Sequence, residues 1–134
     1  MGNRMNKYIQ LGDYSYSGVK PLCEHEGELW GYETEVIGAN VLAARAATNG
    51  YQGGDAGHGS HSYVELEDMG GTAMEVSVND EKIEEIFATG EILNPKVRID
   101  VFGDTELMTL INALRFMADA LEEAAEYAES VSKV

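Results

Sequence analysis

Apolar residues recur with the clearest period at the C-terminal end of the chain. Leu107, Leu110, Ile111, Leu114, Met117, Ala118, Leu121, Ala125 and Ala128 fall on one face at helical spacing, which predicts a helix from Asp104 to about residue 130. Asp104 and Glu106 stand at its start, where negative charge suits the helix dipole. Met108, Phe116, Tyr127 and Val131 form a second apolar strip off the main face. Two apolar faces on one helix are covered either by a second copy of the chain or by irregular packing inside a monomer.

The rest of the chain alternates at shorter range. Residues 8–16 read as extended, followed by a turn over residues 14–18. Residues 21–31 read as loop, with Trp30 and Tyr32 as packing anchors. Over residues 33–48, Val36, Ile37, Val41, Leu42, Ala44 and Ala47 cover a wide face and predict a helix that Asn49-Gly50 stops. Residues 61–67 alternate as a strand, as do residues 72–78 with Met74, Val76 and Val78 on one face, and residues 68–71 read as the turn between them. Asn79-Asp80 would cap a short helix over residues 81–89. Residues 96–102 predict a strand with Val97, Ile99 and Val101 inward. These elements give an α+β fold: an antiparallel sheet packed against helices, with a long C-terminal helix, in one domain spanning residues 1–134.

Composition narrows the function classes. The chain has 24 acidic and 9 basic residues, net −15, which argues against sequence-independent binding to DNA or RNA. That charge still permits a small phosphorylated ligand on a few cations, or an acidic decoy for a basic partner. The single cysteine, Cys23, excludes an internal disulfide and fits the cytoplasm. No run reaches the length of a membrane span, and the first residues lack a signal-peptide core; Met5 is a second possible start.

The chemistry-bearing residues cluster in the middle. Residues 51–60, Tyr-Gln-Gly-Gly-Asp-Ala-Gly-His-Gly-Ser, are either a mobile surface loop or a cradle whose amides meet an anion. The helix-loop-strand order is not that of a dinucleotide fingerprint, and the Lys-Ser/Thr ending of a phosphate loop is missing. Asp55, His58 and His61 are spaced by three, yet glycines between them hold no rigid metal geometry, so no metal is expected. The two imidazoles are better read as hydrogen-bond donors, or as exposed histidines without a role. Cys23 beside His25 is surrounded by glutamates that raise a thiol's pKa, so no thiol nucleophile is expected. Arg115 is the sole cation between Arg98 and Lys133, with Asn112 and Asp119 on its face. It is either a local ion pair or an arginine aimed at phosphate from a rigid element, and Arg45 is a weaker case of the same kind.

The layout, with Gly57-His58-Gly59-Ser60-His61, Phe87, Asn94 and Arg115, resembles the Thoeris anti-defence family of phage signal sponges over roughly residues 8–130. His61 stands where an arginine would be expected after the Gly-Ser turn. The resemblance implies a non-catalytic protein that sequesters cyclic ADP-ribose isomers, in some members also cyclic oligonucleotides, in the host bacterial cytoplasm. It implies self-association, as a dimer or hexamer, and no cofactor. The implied ligand residues are His58, Gly59, Ser60, His61, Phe87, Asn94, Asn112 and Arg115. The alternative from another class is an acidic, nucleic-acid-mimicking inhibitor of a bacterial defence protein, with Glu122, Glu123, Glu126 and Glu129 supplying part of its face.

Overall fold

A computed structural model describes residues 13–16, 19–24, 27–37, 41–70, 74–83 and 95–132. In chain order the elements are β1 (Asp13–Tyr16), β2 (Lys20–Glu24), β3 (Gly27–Ile37), β4 (Val41–Thr48), β5 (His61–Gly70), β6 (Ser77–Val78), β7 (Glu81–Lys82), β8 (Lys96–Phe102) and α1 (Asp104–Ser132). The fold is α+β, an antiparallel sheet and a long C-terminal helix, as the pattern predicts. The chain divides into two units, Met1–Asn49 with Ser62–Asp100, and Gly50–His61 with Val101–Val134.

The first unit is built on β3. Its C-terminal part pairs antiparallel with β1, from Tyr16↔Thr34 to Asp13↔Ile37, and its N-terminal part with β2, from Lys20↔Gly31 to Glu24↔Gly27. Its other edge takes β4, which in turn takes β5, and β8 lies beside β5. Of residues 21–31, the described 21–24 and 27–31 are therefore strand, not loop. The helix expected over residues 33–48 is also replaced, by the end of β3 and the whole of β4. Alanine has high helix propensity, but here its small size decides. Ala47 lies opposite Gly31 and Tyr63 and is buried, and a Cβ on Gly31 would run into the Ala46 carbonyl and meet Ala47 Cβ at 2.7 Å. Leu29, Ala47 and Tyr63, with Leu22 against them, form the core cluster of the described residues.

Strand alternation explains the other departures. Leu29 is buried, so its neighbour Trp30 points the other way and, with Tyr32, is exposed rather than an anchor. On β5 the buried positions include Tyr63 and Glu65, while Leu66 is exposed; on β8 Ile99 is exposed, against the inward position expected for it. β5 runs on through Gly70, which pairs with Val41 across a bulge, so the turn expected at residues 68–71 is not formed within it. Of the strand expected over residues 72–78, only β6 is observed among the described residues. Asn79 and Asp80 do not cap a helix. Both take positive φ, 53° and 68°, and make the two-residue turn of the β6–β7 hairpin.

The second unit is α1 with the glycine-rich loop. The helix has 29 residues, about 43 Å at 1.5 Å per residue. Leu107 is its one buried side chain among the described residues. No helix of the described residues is long and apolar enough to cross a membrane.

Candidate functional site

The glycine-rich loop is bound to the start of α1 by its own polar groups. Asp104 accepts hydrogen bonds from three loop amides: Gln52 N–H at 3.0 Å and Ser60 N–H at 3.1 Å to Oδ1, and Gly53 N–H at 2.7 Å to Oδ2. Two further bonds run in opposite directions. The Thr105 amide donates to Asp55 Oδ1 at 2.8 Å, and the Ala56 amide donates to Glu106 Oε1 at 3.1 Å. This is the reciprocity of a capping box, with the N-cap carboxylate supplied from a distant segment. The Asp104 amide donates to the Gly54 carbonyl, the Gly103 amide to the Ser60 carbonyl, and the Ser60 hydroxyl to the Gly103 carbonyl.

The electrostatic consequence is direct. Exposed loop amides and a helix N-terminus are the two backbone features that bind anions. In this chain the anions are Asp104, Glu106 and Asp55. The Gln52 N–H foremost, with those of Gly53 and Ser60, holds the Asp104 carboxyl below the usual carboxylate range, against the opposing effect of desolvation. Four loop amides, those of Gln52, Gly53, Ala56 and Ser60, therefore face carboxylates of the same unit.

The described candidate ligand residues lie on two segments of this unit, the loop and α1. His58 and Gly59 are exposed on the loop. Ser60 is buried, and His61 is buried and stacked on Phe102 at 4.6 Å between centroids. Asn112 and Arg115 are exposed on α1. Arg115 lies eleven residues beyond Asp104, about 16 Å along the helix axis, more than its side chain spans. Phe87 and Asn94 lie outside the described residues, as does His25. Among the described residues no three His, Cys, Asp or Glu side chains are grouped to hold a metal ion.

In the sheet unit, Arg45 is ion-paired with carboxylates of β5. Its Nη1 meets Glu65 at 2.7 Å and Glu67 at 2.9 Å, and Lys96 stands 3.8 Å from the other Glu65 oxygen. Desolvation pulls the Arg45 pKa down, but the bonds to Glu67 and Glu65 outweigh it and raise it. Arg98 lies over the Tyr63 ring at 3.8 Å and makes a two-point bond to Asp100. These carboxylates are committed to cations.

What α1 leaves open is larger. Leu107, Leu110, Leu114, Met117, Leu121, Ala124, Ala128 and Val131 follow one another at alternating intervals of three and four. That is the a/d repeat of a coiled coil, with Leu107 at a. Beyond Leu107 and the half-buried Leu110 the seam is open to solvent: Met117 is 49% exposed, Leu121 72% and Val131 51%. The acidic residues stay off it. Asp119, Glu122, Glu123, Glu126 and Glu129 fall at the outward b, c and f positions, with Asn112 and Arg115. Of the second apolar strip, Tyr127 and Val131 belong to this wide face, whereas Met108 and Phe116 lie outside it.

No family model, curated protein or solved structure matches this chain.

Proposed function

We propose that the chain is a non-catalytic binding protein whose association element is α1. The observation that carries this reading is the uninterrupted three-four apolar repeat from Leu107 to Val131, open to solvent from Leu114 onward. Soluble helices bury such a stripe against a partner helix, because each exposed large apolar side chain forgoes about 1.5–3 kcal/mol of burial. Leu121→Glu tests it. The substitution keeps a good helix former but puts a charge at the centre of the seam. Sedimentation should show the wild type heavier than the 14.6 kDa chain and the variant shifted toward it, with unchanged helical circular dichroism. A variant that sediments like the wild type sinks the reading.

What such an assembly holds is the second part of the proposal. Sequestration of a cyclic ADP-ribose-type or cyclic oligonucleotide signal is favoured by His58, Asn112 and Arg115, which are exposed in the helix unit. With the Gln52, Gly53 and Ser60 amides bound to Asp104, these side chains are the groups offered to the phosphates. The rival, an acidic mimic of nucleic acid, is favoured by the acids of the outward face of α1. Mixing the protein with candidate nucleotides and then denaturing it separates them. A sponge returns the nucleotide intact, an enzyme returns product, and a mimic takes up nothing.

A further inference from the structure

We infer that Asn49 is a site of spontaneous covalent modification, by which the link between the two units becomes aspartyl or isoaspartyl. Asparagine is a thermolabile residue, and the group that attacks its side-chain amide is the backbone nitrogen of the residue that follows. Asn49-Gly50 is the only Asn-Gly pair in the chain. It lies outside helix and strand, after the end of β4 at Thr48, where the chain passes from the first unit to the second. Gly50 takes φ +83°, and nothing lies within 4 Å of where its Cβ would be. A glycine sets no side chain against the closing ring and leaves the backbone free to bring its nitrogen round. The other described asparagines are held differently. Asn112 is in α1, where the amide of the next residue is bound into the helix ladder. Asn79 sits in the β6–β7 turn and is followed by Asp80, whose side chain crowds the ring.

The reaction needs only water. The Gly50 nitrogen forms a bond to Asn49 Cγ, the side-chain nitrogen leaves with the displaced proton as ammonia, and a succinimide ring remains. Water then opens the ring. Breaking the new bond at Cγ gives aspartate; breaking the original peptide bond gives isoaspartate, with the main chain running through the side-chain carbon. Either product puts a carboxylate where a neutral amide stood, and isoaspartate also lengthens the main chain by a methylene. The change falls just before Gln52, whose amide donates to Asp104. Isoaspartate at Asn49 therefore loosens this end of the loop.

The test uses the full chain, aged in mildly alkaline buffer at physiological temperature. Peptide mass spectrometry should find the mass gain of an amide turned acid at Asn49, rising with time, and an isoaspartyl methyltransferase should label the same peptide. Gly50→Ala should slow the gain severalfold, and Asn49→Gln, which keeps the glycine and an amide, should abolish the label. A short peptide of residues 46–52 sets the clock. An Asn49 still intact in the folded chain when that peptide has converted would overturn the inference. Equal conversion at Asn79 or Asn112 would overturn the assignment to this link. Amide hydrogen exchange at Gln52 should quicken in the isoaspartyl fraction; unchanged exchange there would overturn the effect on the loop.

Discussion

The carboxylate of Asp104 and the amide of Gly53, joined at 2.7 Å, close the glycine-rich loop onto the first turn of α1. The same carboxylate takes the amides of Gln52 and Ser60, so one side chain holds three points of the loop. The loop's glycines thus serve close approach of its own backbone to a carboxylate, which is the geometry otherwise offered to a phosphate.

Removing that carboxylate should free the loop and leave the helix. In Asp104→Ala, amide hydrogen exchange at Gln52, Gly53 and Ser60 should quicken markedly while α1 beyond its first turn keeps its protection. Unchanged exchange at those three amides would show that the loop is held by other bonds.

The same bonds predict a pH dependence. A carboxyl whose folded pKa lies below its ordinary value contributes stability above that ordinary value, about 3.9, and loses it as pH falls toward the lower folded pKa. Protection of the loop amides should therefore hold from neutral pH down to about 4 and fall below it. Asp104→Ala should show no such step. Loss of protection already well above pH 4 in the wild type would contradict the assignment to Asp104.

Gly59 makes a steric prediction at the same place. Its φ is +97°, and an added Cβ would run into the Gly54 carbonyl and meet Asp104 Oδ1 at 2.9 Å. Gly59→Ala should destabilise by about 1–3 kcal/mol, the range for a strained left-handed residue, read as a lower denaturant midpoint. Gly57→Ala is the comparison. It also has positive φ, at +100°, but nothing lies within 4 Å of its Cβ, so it should cost less.

In the sheet, Arg45 spans two carboxylates of which Glu65 is nearly buried, its side chain 8% exposed. Arg45→Ala leaves Glu65 with only Lys96 at 3.8 Å and should cost about 2–3 kcal/mol, below the full range for a buried pair because Arg45 itself is partly exposed. Glu67→Ala should cost under about 1 kcal/mol, since Glu67 is more exposed and leaves no buried charge behind. Urea titration of the two variants gives the order, and equal costs would contradict it.

How much of this was legible depends on the range of the interactions. The helix was, because its period repeats over several turns and its acids mark its start. Residues 42–47 were not, because Leu-Ala-Ala-Arg-Ala-Ala carries helix propensity while β3 and β5, brought in from either side, select strands of small residues. The start of β3, residues 27–31, was hidden because glycine and glutamate interrupt its alternation and Leu29 is its buried large apolar side chain among the described residues. The loop lock links Asp55 to Thr105 and Gln52 to Asp104, residues about fifty apart, and no local pattern announces such a pairing. The acids at the start of α1 suit the helix dipole by position, and in the structure they also accept hydrogen bonds from the loop.

Arg115 separates assembly from ligand binding. It sits at an outward b position of α1, about 16 Å from the helix start, and is exposed. Arg115→Ala removes no seam contact and gains helix propensity, so the sedimenting mass and the melting temperature should stay as in the wild type. If the arginine meets a nucleotide phosphate, affinity should fall about ten- to a hundredfold, the loss of one charge-assisted hydrogen bond. Arg115→Lys should regain only part of that, because an ammonium lacks the two-point fork. Isothermal titration with cyclic ADP-ribose isomers and cyclic dinucleotides reads both variants against the wild type. Because the Gln52, Gly53 and Ser60 amides are already bound to Asp104, Asp104→Ala should not abolish such binding, whereas Arg115→Ala should weaken it. The opposite order would move the ligand from the helix face to the loop and make Asp104 its internal competitor.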